Sequence, residues 1–258
     1  MFTKAVVLAM LGSALLSGCA VEAVSEGADE TQEIIDNLVQ AGYPERDIMV
    51  EGGAVYVGRD AHVTLQASRE MLESGGEGEE QYRTSNLVSS SVTRICVWPS
   101  ADFTGSFSTA LDYALANYTV LPLTFDMVRG PAVNCMGNIV AVIEPGLVGG
   151  SAGFPANGLP YGQITIGGGL APYGVNVIEH VITHELGHTI GFRHSDYYDR
   201  SISCGVGGNE GSAGVGAIWI PGTPTTATVG GSIMNSCFRS VETGEFTSSD
   251  VTALNYLY

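Results

Sequence analysis

The chain has 258 residues, of which 45% are apolar and 35 are glycine, and its formal net charge is −17. That length and apolar share suit one core-forming domain with extensions, and the glycine content implies much loop. The acidity excludes a nucleic-acid partner, because a polyanion would be repelled.

Residues 20–80 hold 15 acidic and 3 basic side chains, and the rest of the chain holds 12 and 7. An acidic N-terminal region therefore precedes a nearly neutral domain. At the start, Lys4 is followed by an apolar run from Ala5 to Leu16 and then small residues. The run is too short to span a bilayer and reads as a signal peptide over 1–18. Leu16-Ser17-Gly18-Cys19 resembles a bacterial lipobox. The resemblance implies cleavage before Cys19, lipid modification there, and a membrane partner reached through that anchor. Ala20 in place of aspartate favours the outer membrane or cell surface. Either way the protein is expected to be exported.

Export leaves Cys96, Cys135, Cys204 and Cys237 in an oxidising compartment, with three possible pairings. Cys204–Cys237 is favoured because both flank a segment that must close under the site described below, and Cys96–Cys135 then follows. No C-x-x-C pair suggests that a cysteine binds metal.

Residues 19–90 read as a propeptide-like or tether region. Thr31 to Ala41 has the spacing of a short amphipathic helix ended by Gly42-Tyr43-Pro44. Ile48 to Val57 reads as a strand interrupted by Gly52-Gly53, and 73–80 is a glycine–glutamate linker. The region could lift the domain off a membrane or cover its cleft. After Cys19 it has no thiolate to offer a metal. A carboxylate could serve, with Asp47 and Asp60 as candidates, but each reads more simply as surface charge.

Residues 91–258 read as the catalytic domain. Strands are expected at Val92–Trp98, Leu121–Val128, Ile139–Ile143 and Tyr161–Ile166, with a helix from Ser106 to Tyr118. Gly146 to Gly158 reads as loop. The Tyr161 strand is placed at the sheet edge, where an extended substrate backbone could add to it.

Val175 to Ile190 is an amphipathic helix, and it opens H-E-x-x-H-x-x-G-x-x-H over 184–194. Histidines four apart share one helix face, so His184 and His188 can hold one zinc ion at about 2.0–2.1 Å. Gly191 accepts positive φ and lets the chain turn sharply. The turn can return His194 as a third ligand, leaving a fourth position open, as in catalytic zinc sites. Glu185 points at water beside the metal and is the candidate general base. His180 lies on the same stripe but lacks a following glutamate and glycine turn, so it is not read as a ligand. Asp196 is a candidate to orient a ligand imidazole. After an irregular Gly/Pro/Thr-rich stretch, Met234 in Ser232-Ile233-Met234-Asn235 can floor the imidazoles. Thr247-Ser248-Ser249-Asp250 reads as a capping box opening a last helix beneath the site.

These residues carry a resemblance. His184 to His194 with the later Met234 turn resembles the metzincin metalloproteases. The longer HELGHTIGFRHSD, with the terminal helix, resembles the bacterial dual-action HEIGH peptidases (the M57 family). More loosely, Ala41-Gly42-Tyr43 and Gln81 to Leu87 share it. The resemblance implies an α+β metzincin-type zincin. Its parts would be a mixed twisted sheet, an active-site helix and a smaller loop-rich C-terminal subdomain ending in a helix. It also implies a zinc-dependent endopeptidase acting on polypeptides through a zinc-activated water. Ser236 stands where some metzincins carry a tyrosine, so no tyrosine switch is expected. The alternative is a lipid-anchored binding protein that keeps the zincin scaffold without catalysis.

Overall fold

An eight-stranded mixed sheet carries the molecule in this computed structural model, which describes residues 22–72, 81–211 and 216–258. The expected signal peptide, Cys19 and the expected 73–80 linker lie outside the described residues. The N-terminal region forms a helix α1 (Glu22–Gln40), a meander β1 (Ile48–Glu51), β2 (Ala54–Val57) and β3 (Ala61–Val63), and a short α2 (Leu65–Glu70). The expected single strand over 48–57 is thus a hairpin, because Gly52 and Gly53 both take positive φ and fold the chain back. Ile34 and Leu38 of α1 meet Val55, Val57 and Val63 in a second, smaller apolar core, to which Phe154 of the main body also contributes.

The main body follows as β4 (Tyr82–Arg83), β5 (Arg94–Pro99), α3 (Gly105–Thr119), β6 (Asp126–Arg129), β7 (Gly137–Glu144), β8 (Gly150–Gly153) and β9 (Gln163–Gly167). Then come α4 (Val175–Thr189), α5 (Ser201–Cys204), β10 (Ile218–Trp219) and α6 (Ser248–Leu257). Sheet order is β1-β2-β3-β8-β9-β7-β5-β6. Strands β6, β5, β7 and β9 are parallel, and β8 runs antiparallel to β9. In β7 Ile139 and Ala141 are buried while Asn138 and Val140 are exposed. The sheet therefore has one covered and one solvent-facing side. Leu111 and Leu115 of α3 and Ile178 and Ile182 of α4 share the main core with Ile95, Val97, Ile164 and Ile166. The architecture is α+β, as expected.

Three local expectations change. The strand expected over 121–128 begins only at Asp126; Leu121 and Leu123 pack on the core from a turn instead. The 146–158 loop contains β8, whose Gly-Ser-Ala-Gly sequence has no apolar alternation to betray a strand. Because β8 exists, β9 is paired on both sides and is not an edge. The far side of β8 is taken by β3, running parallel.

Residues 81–90, grouped by sequence with the N-terminal region, are built into the main body. Gln81 hydrogen-bonds Ser232, Ser249 and Asp250, β4 pairs with β10, and Thr84 N donates to Gly191 O. Disulfides join Cys96 to Cys135, across β5 and the β6–β7 connection, and Cys204 to Cys237.

Candidate metal centre

Helix α4 is buried from Val177 to Thr189, so its polar residues must be used. It ends in a Schellman turn. Gly191 lies at φ 113°, Phe192 N donates to Gly187 O at 3.0 Å and Gly191 N to His188 O at 3.0 Å. A Cβ on Gly191 would sit 2.7 Å from Asn86 O, so both conformation and space require glycine. Past the turn, Arg193 N donates to Tyr82 O, and the chain returns with His194 facing the helix.

The three imidazoles converge, and their outer nitrogens are committed. Nδ1 of His184 donates to Ile233 O at 2.8 Å, and Nδ1 of His188 to Phe192 O at 2.7 Å. Nδ1 of His194 donates to Glu210 Oε1 at 2.7 Å. Carbonyl oxygens only accept, so these bonds fix the Nδ1–H tautomer and aim Nε2 lone pairs at a common centre. His188 Nε2 is buried with no hydrogen-bond partner. Nε2 of His184 and His194 stand 3.3 Å apart. Two nitrogens each bound at about 2.0–2.1 Å to one tetrahedral metal would be separated by about that distance. The donor set therefore fits zinc.

Burial, helped by the neighbouring His194, lowers His184 to about 4, and burial holds His188 well below the ordinary range. Both are kept neutral, as metal ligands must be. Burial also works to lower His194, but Asp60 and Glu210 outweigh it and raise it well above.

A fourth group joins the cluster: Asp60, from the loop between β2 and β3, lies with the three histidines within 4.8 Å. Its Oδ2 is 3.1 Å from His194 Nε2 and 4.0 Å from His184 Nε2. Burial pushes this carboxyl up, yet the imidazoles, His194 foremost, hold it below the usual carboxylate range. The surface-charge reading of Asp60 is corrected: the β3–β8 pairing carries it into the site.

Glu185 is buried beside the cluster, and its Oε2 has no partner. Burial, and then the charge of Asp60, raises its carboxyl well above the usual range. A Cβ on Gly150 of β8 would lie 2.5 Å from Glu185 Oε1, so the strand approaches the glutamate closely only because that residue is glycine. Beneath the imidazoles, Met234 presses on α4 where Gly187 leaves room; a Cβ there would sit 2.7 Å from its sulfur. The turn is held by Asp250, which accepts from Ile233 N at 3.0 Å and from Ser232 Oγ at 2.5 Å, while capping α6 with Thr247.

Asp196, expected to orient an imidazole, makes its hydrogen bonds elsewhere. It accepts from Ser203 and Ser236, clamping the two segments that the Cys204–Cys237 disulfide also joins. The carboxylate that does reach a ligand is Glu210, held by Arg200 at 3.0 Å and Arg193 at 3.5 Å. The Arg193 guanidinium stacks between the rings of Tyr43 and Tyr197. Glu210 sits alone in a glycine-rich stretch and gives no periodic or motif signal. His180 faces Glu242 at 3.8 Å and takes no part in the cluster. Asp47 lies near Arg46 at 3.8 Å, away from the centre. A cavity of about 340 Å³ opens beside Glu185, with Leu147, Val148, Val181 and Phe238 as apolar lining.

Among solved structures, the chain is similar to high choriolytic enzyme 1, a hatching-enzyme zinc protease of Oryzias latipes. Identity is 18% over 67% of this chain and 93% of that one, with a TM-score of 0.42. It is similar also to myroilysin, at 13% identity over 67% of this chain and 97% of that one, TM-score 0.41. Comparison with curated proteins gives no match. The profile of the dual-action HEIGH metallo-peptidases (Peptidase_M57) matches residues 55–258, most of the chain and all of the cluster. The protein therefore belongs to the dual-action HEIGH metallo-peptidase family and is a zinc metallopeptidase.

Proposed function

We propose that the protein is an exported, lipid-anchored endopeptidase that cleaves within polypeptide chains. The observation that carries the catalytic part is the convergence of three Nδ1-anchored imidazoles beside a buried, partnerless Glu185 oxygen. His184, His188 and His194 would hold zinc, which when bound acts as a Lewis acid and makes water acidic enough to serve as nucleophile near neutral pH. Glu185 accepts the proton of the attacking water and then delivers it to the leaving amine. Met234 and Gly187 keep the helix and the turn in contact, so the imidazoles keep their aim. The cavity beside Glu185, lined by both apolar and charged side chains, offers room for a substrate side chain.

Two disulfides support export, since such bonds persist in oxidising compartments. The Leu16–Cys19 sequence supports the lipid anchor. Among the described residues no helix is long and apolar enough to cross a membrane.

The presence of Asp60 in the cluster favours one other reading, a zinc-binding protein without turnover. Mass spectrometry of products from a peptide library, with wild type, Glu185→Gln and Asp60→Asn in parallel, separates them. Internal cleavage that disappears in Glu185→Gln while zinc content is unchanged supports the endopeptidase. Zinc in all three with no cleavage by any supports the binding protein.

A further inference from the structure

We propose that His180 is a specificity-determining residue: its Nε2 is a hydrogen-bond acceptor in the wall of the cavity beside Glu185, and it selects tyrosine as the residue that follows the scissile bond. The proposal rests on the zinc-peptidase reading above and names the side chain that this site prefers.

His180 lies one helical turn before His184 on the same stripe of α4, about 6 Å away along the axis. It lines the cavity together with Glu185, and it belongs to no metal cluster among the described residues. The residue is only 3% exposed, yet its Nε2 has no hydrogen-bond partner. A buried polar atom left unpaired costs stability, and a ligand that pairs it recovers that cost.

The surroundings decide which kind of partner Nε2 needs. Nδ1 faces Glu242 Oε2 at 3.8 Å. Burial works to raise the Glu242 carboxyl, but Arg239, bound to its two oxygens at 2.7 and 3.1 Å, outweighs it and lowers it. Burial, and then the neighbouring His184, lowers His180 to about 4, so the ring is neutral and only one of its nitrogens carries hydrogen. The Glu242 carboxylate favours that hydrogen on Nδ1, which leaves Nε2 as an acceptor.

Glu185 hands its proton to the leaving amine, so the amine lies against Glu185. The cavity on that side then takes the side chain of the residue after the bond. Its volume is about 340 Å³, and Leu147, Val148, Val181 and Phe238 supply apolar walls. Phe238 is held edge-on by Tyr173, with 5.7 Å between ring centroids. Apolar walls and one acceptor fit an apolar body that ends in an O–H donor, which is tyrosine. Phenylalanine leaves Nε2 unpaired. Serine brings the hydroxyl without the body. Lysine would be attracted by Asp60 and Glu185, but its ammonium must enter between apolar walls and beside Arg59 and Arg200.

The test uses the full chain loaded with zinc, as wild type, His180→Leu, His180→Gln and Glu242→Gln, with near-UV circular dichroism to check folding. N-acetyl-tyrosine amide and N-acetyl-phenylalanine amide are titrated while the histidine ring nitrogens are followed by NMR, His180 being assigned by its loss in its own variants. Mass spectrometry of products from a peptide library gives the ratio of kcat/KM for tyrosine and phenylalanine after the scissile bond. In free wild type, His180 Nε2 is expected to carry no proton. The tyrosine amide shifts that resonance and binds about tenfold more tightly than the phenylalanine amide, and the library prefers tyrosine by a similar factor. The preference disappears in His180→Leu and partly returns in His180→Gln, whose amide oxygen accepts. It weakens in Glu242→Gln, where the His180 ring shows both tautomers. The proposal is overturned if the two amides bind alike or neither binds, if the library favours phenylalanine or lysine over tyrosine, or if His180→Leu keeps the preference. The wild-type titration decides where His180→Leu fails to fold, with His180→Gln supplying the assignment. If the tyrosine amide binds at His180 but no peptide is cleaved, the pocket assignment stands and the peptidase reading falls.

Discussion

The Glu210 carboxylate accepts a hydrogen bond from His194 Nδ1 at 2.7 Å, although neither residue lies in a helix or strand. It anchors His194, which unlike His184 and His188 does not lie on α4. Glu210→Ala should weaken zinc binding by roughly 10- to 100-fold, the usual range for losing such a partner. Glu210→Gln, which keeps an acceptor oxygen, should recover part of that loss. Competition titration against a chelator reads both. Unchanged affinity in Glu210→Ala would show that the Arg193 and Arg200 scaffold aims His194 without it.

Gly150 sets the position of Glu185. In Gly150→Ala the new methyl group displaces the carboxylate, since the flexible side chain yields before the strand does. A shift of about 1 Å at a catalytic group can cost on the order of 100-fold. The expectation is a fall in kcat of that order with zinc content and Tm nearly unchanged. A fall in Tm with kcat preserved would mean that the strand moved instead.

Glu179 should make stability depend on pH. Burial, reinforced by Glu245 and opposed by the Asn117 hydrogen bond, lifts its carboxyl from the ordinary 4.5 to about 7. A raised folded-state value stabilises the protein in full below about 4.5. That contribution is lost as pH rises through about 7. Thermal melts of wild type and Glu179→Gln should therefore diverge from pH 4.5 upward, with the variant more stable at pH 8. Equal melting temperatures at pH 8 would refute this.

The Cys204–Cys237 disulfide spans 33 residues, including the irregular stretch before the Met234 turn. Loop-closure entropy assigns such a cross-link about 3–4 kcal/mol. Replacing both cysteines by serine should lower the denaturation midpoint accordingly. Zinc affinity should fall by a smaller factor, because the Asp196 bonds to Ser203 and Ser236 still join the two segments.

The local part of the site was legible because helical geometry and glycine stereochemistry are sequence-local. His184, His188 and Glu185 take their places from the period of α4 alone, and Gly191 announces the turn that brings back His194. The capping box at Thr247 and Asp250 was readable for the same reason. Strand β8 was not, because Gly-Ser-Ala-Gly offers neither alternation nor branched side chains, and its existence depends on backbone pairing with β9. Missing β8 moved the sheet edge to the wrong strand and hid the position that β3 occupies.

By itself, then, the sequence determined the metal-binding motif, the kind of chemistry it serves and the helix that carries it. These depend on spacings of a few residues. The tertiary structure alone decided which carboxylates meet the imidazoles. Glu210 and Asp60 reach His194 from 16 and 134 positions away, and nothing in a local pattern records contacts made by chain closure over such distances. It also gave Asp196 to the disulfide segments and placed Asp60, an unremarkable acidic residue in a charged region, beside the three imidazoles.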